Sequence, residues 1–94
     1  MKNSNLSVIA YANGFTLWHY ADSNVSSTQL DENFFSEMGK LSSIGDKILL
    51  NLSDCYAEAI ITQLSESGNS IKVYFKYITK LMYKEEGETD EQSK

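Results

Sequence analysis

The chain of 94 residues has no arginine and no proline, and it has a single cysteine, a single histidine and a single tryptophan. The lack of arginine removes the side chain best suited to bidentate contacts with phosphate, guanine or a buried carboxylate. Its cations are all lysines, which act as point charges. The lack of proline excludes a cis-proline switch. With Cys55 alone the chain cannot close an internal disulfide, which fits a reducing cytoplasm. A formal charge of −5 argues against general affinity for nucleic acid or an anionic membrane. The apolar stretch Leu6 to Ala12 is too short for a signal-peptide core or for the ~20 residues of a membrane span, so no membrane partner is expected.

What the chain does have is hydrophobic residues, 41% of the total, with six Tyr and four Phe, enough for the core of one small domain. The clearest local instruction is Tyr11-Ala12-Asn13-Gly14-Phe15-Thr16-Leu17-Trp18-His19-Tyr20. Asn-Gly is the preferred pair for a two-residue type I′ turn, whose central positions both need positive φ. A turn centred there pairs Ala12 with Phe15, Tyr11 with Thr16, Ala10 with Leu17, Ile9 with Trp18 and Val8 with His19. One face then carries Val8, Ala10, Ala12, Phe15 and Leu17, and the other carries Ile9, Tyr11, Trp18 and Tyr20. A hairpin apolar on both faces is either buried on both or lends one to a partner. Tyr11, Trp18 and Tyr20 are accordingly the candidate interface residues, with an aromatic core as the plainer account of the same cluster.

The remaining segments follow in order. Residues 1–5 read as a flexible polar lead-in, residues 6–83 as a single β-rich domain, and residues 84–94 as a disordered acidic tail with no large apolar residue. Ala21 to Asp31 reads as a polar loop. Asp31 to Leu41 reads as a short helix with an acidic first turn, burying Phe34, Met38 and Leu41 on one face, with Gly39 weakening or ending it. Lys47 to Leu52 is an apolar run of strand length after an Ile44-Gly45-Asp46 turn. Tyr56 to Leu64 suits either helix or strand; strand is preferred because of Ile60, Ile61 and Thr62 and the hairpin loop that Ser65 to Ser70 supplies. Ile71 to Tyr83 alternates as a half-buried strand, although Lys72, Lys76 and Lys80 also repeat at helical spacing.

No catalytic, cofactor-binding or metal-ligating set emerges. His19 lacks the further ligands a metal needs or the nucleophile a base needs, so a structural histidine accounts for it. Cys55 with Asp54 and a distant His19 matches no thiol-enzyme signature. The glycines form no phosphate-cradling pattern. Lys72, Tyr74, Lys76 and Lys80 resemble the basic and aromatic interleaving of single-strand binders, which a solvated strand face also produces. They define an alternative nucleic-acid face, disfavoured by the acidic balance.

The Tyr11 to Tyr20 motif, the Asn33-Phe34-Phe35 segment and Ile44-Gly45-Asp46-Lys47-Ile48 together are similar to a group of short uncharacterised phage, prophage and α-proteobacterial proteins. The resemblance covers roughly Tyr11 to Leu50, and the polar loop Asp22 to Gln29 departs from the group's Ala-rich connection. It implies a small β-rich virion or prophage-encoded protein without catalysis, placed in the host cytoplasm or a virion, and it transfers no site residue.

The expected fold is therefore α+β but mainly β, a small barrel or roll of about five antiparallel strands with one short helix. The expected function is structural or interaction-based, in a homo-oligomer and with other virion proteins as further partners. The alternative is a monomeric SH3-like binding module for nucleic acid or an acidic protein partner. No cofactor is expected.

Overall fold

A computed structural model describes residues 1–82. The acidic tail expected at 84–94, and Tyr83 before it, lie outside the described residues. Five strands form one mixed sheet in the order β1-β2-β3-β4-β5: β1 Leu6–Ala12, β2 Phe15–Asp22, β3 Lys47–Leu52, β4 Tyr56–Ser67 and β5 Ser70–Leu81. Short 3-10 turns occupy Asn3–Asn5, Ser27–Gln29 and Ser36–Met38.

The Asn13-Gly14 turn forms as expected, with Gly14 at φ 102°. Ala12, Tyr11 and Ala10 pair with Phe15, Thr16 and Leu17, but a bulge at Ile9 then shifts the register, so that Val8 meets Trp18 and Leu6 meets Tyr20. The expected pairs Ile9 with Trp18 and Val8 with His19 are thereby corrected. The shift has a packing consequence. It moves Val8 and Leu6 onto the face of Trp18 and Tyr20, where both pack against the core.

The sheet is neither wholly antiparallel nor closed into a barrel. β3 runs parallel to β2, pairing Trp18 with Ile48 and Tyr20 with Leu50, which requires residues 23–46 to cross one face of the sheet. That crossing supplies the second layer of the core. The buried sheet residues are Trp18 and Tyr20 on β2, Ile48, Leu50 and Leu52 on β3, Ala57, Ala59 and Ile61 on β4, and Ile71 and Val73 on β5; Val25, Phe35 and Met38 descend on them from the crossover. Strict alternation in β3 and a two-residue Gly68-Asn69 turn between β4 and β5 complete the pattern. Tyr56 to Leu64 is strand, and the β4–β5 hairpin runs farther than the expected Ser65 to Ser70 loop allowed.

No α-helix forms over Asp31 to Leu41, contrary to expectation. Asp31 Oδ1 accepts Asn33 N–H at 2.9 Å, and the turns close by three-residue bonds, Phe34 N–H to Asp31 C=O and Met38 N–H to Phe35 C=O. An aspartate that bonds its own backbone competes with the helix ladder. The tighter winding buries Phe35 and Met38 completely and leaves Leu41 71% exposed, outside the face assigned to it. Gly39 is needed for space: a Cβ there would lie 2.4 Å from Ile71 Cγ2.

Residues 1–5 make several contacts. Lys2 N–H donates to Tyr20 Oη at 3.2 Å, Tyr20 Oη donates to Asp22 Oδ2 at 3.2 Å, and Asn5 Nδ2 donates to the same oxygen at 3.2 Å. A hydrogen bond from Asn24 N–H, joined by those from Tyr20 and Asn5, holds the Asp22 carboxyl below its ordinary value.

Candidate interaction surface

One face of the sheet is covered by the crossover; the opposite face is not. Register places on the open face Ala10 of β1, Leu17 and His19 of β2, Lys47 and Leu49 of β3, Glu58 and Ile60 of β4, and Lys76 and Thr79 of β5. Tyr56 and Leu81 extend it, 52% and 61% exposed. The central rows therefore mix apolar side chains with lysine and glutamate. Lys47 Nζ lies 5.3 Å from the Phe15 ring centroid, a cation–π contact on this face. Alternation explains the arrangement: each buried residue of β3 is followed by one aimed the other way.

The three candidate interface residues separate. Trp18 and Tyr20 are 6% and 0% exposed inside the protomer, and Tyr11 is 81% exposed. Trp18 and Tyr20 are therefore core residues and offer nothing to a partner; they lie on the side of the sheet that the crossover covers. Tyr20 stacks edge-on against Phe34 and Phe35, with centroids 5.7 and 6.0 Å away, and Phe35 continues the chain of rings to Phe75 at 5.7 Å. Residues that only the tertiary structure brings forward as surface are Leu17, Leu49 and Ile60. Their sequence signal was the second apolar set of an alternating strand, which has the same look in a sheet buried on both faces.

The alternative face also divides. Lys72, Tyr74 and Lys76 share the open side of β5, and Lys72 Nζ also lies 3.9 Å from Glu32 at the strand's edge. A bulge at Ile78 turns Lys80 to the opposite side, opposite Ala57, with Nζ 4.7 Å from the Tyr77 ring centroid. The expected row of three lysines is thus broken by one inserted residue.

The chemically reactive groups do not converge. His19 projects on the open face, whereas Cys55 is wholly buried in the core beneath the other. Burial pushes the Cys55 thiol up, and the Asp54 carboxylate pushes it further, the reverse of an activated thiolate. Asp54 is occupied with Ser27: Oδ1 accepts Ser27 N–H at 2.9 Å and Oδ2 accepts Ser27 Oγ–H at 2.8 Å. Burial raises the Asp54 carboxyl, but these hydrogen bonds together outweigh it and leave it below its ordinary value. The pair fastens the start of the crossover to the β3–β4 turn. Among the described residues no group of three or more His, Cys, Asp or Glu could hold a metal ion, and no helix is long and apolar enough to cross a membrane.

A groove of about 470 Å³ runs between residues 27–32 of the crossover and the outer edge of β5. Leu30 and Phe75 form its apolar part and pack on the core, while Thr28, Asp31 and Lys80 form polar walls. Burial raises the Tyr77 phenol in this groove above its ordinary value, and Cys55 and Asp54 add to the shift.

No family model matches the chain, and no curated protein or solved structure matches it either.

Proposed function

We propose that this chain is a non-catalytic structural or interaction protein that associates with further copies of itself through the open face of its sheet. The observation that carries the reading is the uncovered set of Leu17, Leu49 and Ile60 on three neighbouring strands, Leu17 and Ile60 in one row through Lys47, and Leu49 in the next, continued by exposed Tyr56 and Leu81. Five strands at ~4.8 Å spacing and about six residues of shared length give a face of roughly 500 Å² in projection. Two such faces bury on the order of 1,000 Å², the lower end of specific protein interfaces. Sheets that pack face to face place their strands within about 30° of one another, and an isologous pair closes the assembly. The similarity of the Tyr11 to Tyr20 motif to phage and prophage proteins supports a role as a virion-type component.

Light scattering across a dilution series tests the reading. The expected result is a stable multiple of the 10.6 kDa chain, reduced to a folded monomer by Leu49→Glu at the centre of the face. A monomer at every concentration overturns self-association.

The shared position of Lys72, Tyr74 and Lys76 favours a second reading, a monomeric binding module for an acidic partner or nucleic acid. Binding that weakens steeply with added salt in the monomer would support it.

A further inference from the structure

β5 is an edge strand, and the crossover touches that edge at one point: Val73 N–H donates to Glu32 C=O at 2.9 Å. For one residue the crossover acts as the beginning of a sixth strand, and then it leaves. Alternate residues of a strand direct their N–H and C=O groups to the same side, so Phe75 and Tyr77 face outward as Val73 does. Among the described residues no backbone group pairs with them on that side. These unpaired groups open into the groove walled by Thr28, Leu30, Phe75, Tyr77 and Lys80.

We propose that this edge receives an extended acidic segment of another protein by strand addition, continuing the ladder that Glu32 begins. Main-chain hydrogen bonds to Phe75 and Tyr77 would supply the register, and every second side chain of the guest would enter the wall of Leu30 and the two aromatic rings. Charge selects the guest. Lys76 and Lys80 are both exposed along the free stretch, on opposite sides of the strand, so carboxylates on either side of an added strand meet a cation. A second copy of the same edge is disfavoured by the same lysines: a two-fold axis centred on Phe75 to Tyr77 sets Lys76 beside its own copy, a like-charge cross-strand contact. Nucleic acid is disfavoured because its sugar-phosphate backbone has no alternating N–H and C=O groups to pair with a free strand edge. The inference concerns the edge of the sheet and does not depend on the face proposed above for self-association.

The test is a titration of the full chain with a labelled peptide of about eight residues in which Glu alternates with Val and Ile, followed by amide chemical shifts. The expected result is saturable binding with shifts at Thr28, Leu30, Phe75 and Tyr77, loss of binding when alternate peptide amides along one edge are N-methylated, and weakening by about tenfold in Lys76→Glu, whose side chain lies on the side opposite the apolar wall. Equal binding of a peptide with Lys in place of Glu overturns the proposal, as does indifference to N-methylation on either edge. Shifts confined to Leu17, Leu49 and Ile60 overturn it in favour of the open face. Binding that appears only after residues 84–94 are deleted assigns the edge to the chain's own terminus and overturns it too, and so does a concentration-dependent dimer whose shifts fall on β5.

Discussion

Trp18 Nε1–H donates to Asp46 Oδ2 across 3.1 Å, joining β2 to the residue that opens β3. The same carboxylate accepts Thr16 N–H at 2.9 Å and Ser43 N–H at 3.0 Å, and Asp46 is 2% exposed. Its main chain meets Ile61 in both directions through Gly45 and Asp46. One side chain thereby ties the end of the crossover to both strands of the parallel pair's entry, and it satisfies the only indole N–H in the chain.

Replacing Asp46 by Ala leaves those three donors without their acceptor, and the expected loss is about 3 kcal/mol, with a fall of roughly 12–24 °C in Tm. Asp46→Asn is expected to lose nearly as much, because its NH₂ group turns toward donors. Trp18→Phe removes one donor and should cost about 1–2 kcal/mol. Urea denaturation of the three variants is the check; an Asn variant as stable as the parent would show that the anion is not required.

At Gly39 the constraint is space. A methyl group there meets Ile71 Cγ2 at 2.4 Å and Cβ at 2.9 Å, so Gly39→Ala is expected to cost about 1–3 kcal/mol by overpacking. The cost should shrink in an Ile71→Ala background, which removes the nearest atom. A double-mutant cycle measures this, and strict additivity would contradict the contact.

Phe35 is fully buried and contacts Tyr20, Phe34 and Phe75 edge-on, with the nearest centroid, that of Phe34, at 5.0 Å. With Val25 and Met38 it holds the crossover to the sheet. Phe35→Ala is expected to cost about 3–5 kcal/mol and to raise amide exchange in residues 27–39 more than in β3. Uniform exchange across the chain would mean that the crossover has no stability of its own to lose.

The Asp54 carboxyl, lowered by Ser27, carries a pH signature. A folded value below the ordinary 3.8 contributes stability that is present above that value and lost as pH falls through the folded value. Asp54→Asn should therefore be less stable than the parent at neutral pH, and the gap should close in acid below 3.8. Thermal melts from about pH 7 to about pH 2 test the sign; a gap that widens in acid would refute it.

Much of the strand content could be read from local chemistry. Asn13-Gly14 set its own turn, the apolar run Lys47 to Leu52 matched β3 at both ends, and the alternation of Ile71, Val73, Phe75 and Tyr77 named the buried side of β5. Those signals depend on backbone preference and on a two-residue period, which a short window contains. The bulges at Ile9 and Ile78 had no such signal, since one inserted residue breaks a pattern without naming its replacement. They decided that Leu6 and Val8 pack on the core beside Tyr20 and Trp18, and which lysines shared a face. The helix expected over Asp31 to Leu41 failed because Asp31 bonded its own turn, and the requirement for glycine at position 39 came from Ile71, distant in sequence.

The sequence alone determined that the chain is mainly β and can use neither an internal disulfide nor arginine chemistry, because composition and short-range periodicity suffice for those conclusions. Only the tertiary structure decided that the sheet stays open, that β2 and β3 run parallel beneath a single crossover, and that one sheet face and the β5 edge are left uncovered. The physical reason is that covering a face is a relation between distant segments. Residues 23–46 could lie over one side of the sheet, and among the described residues no comparable segment was left for the other.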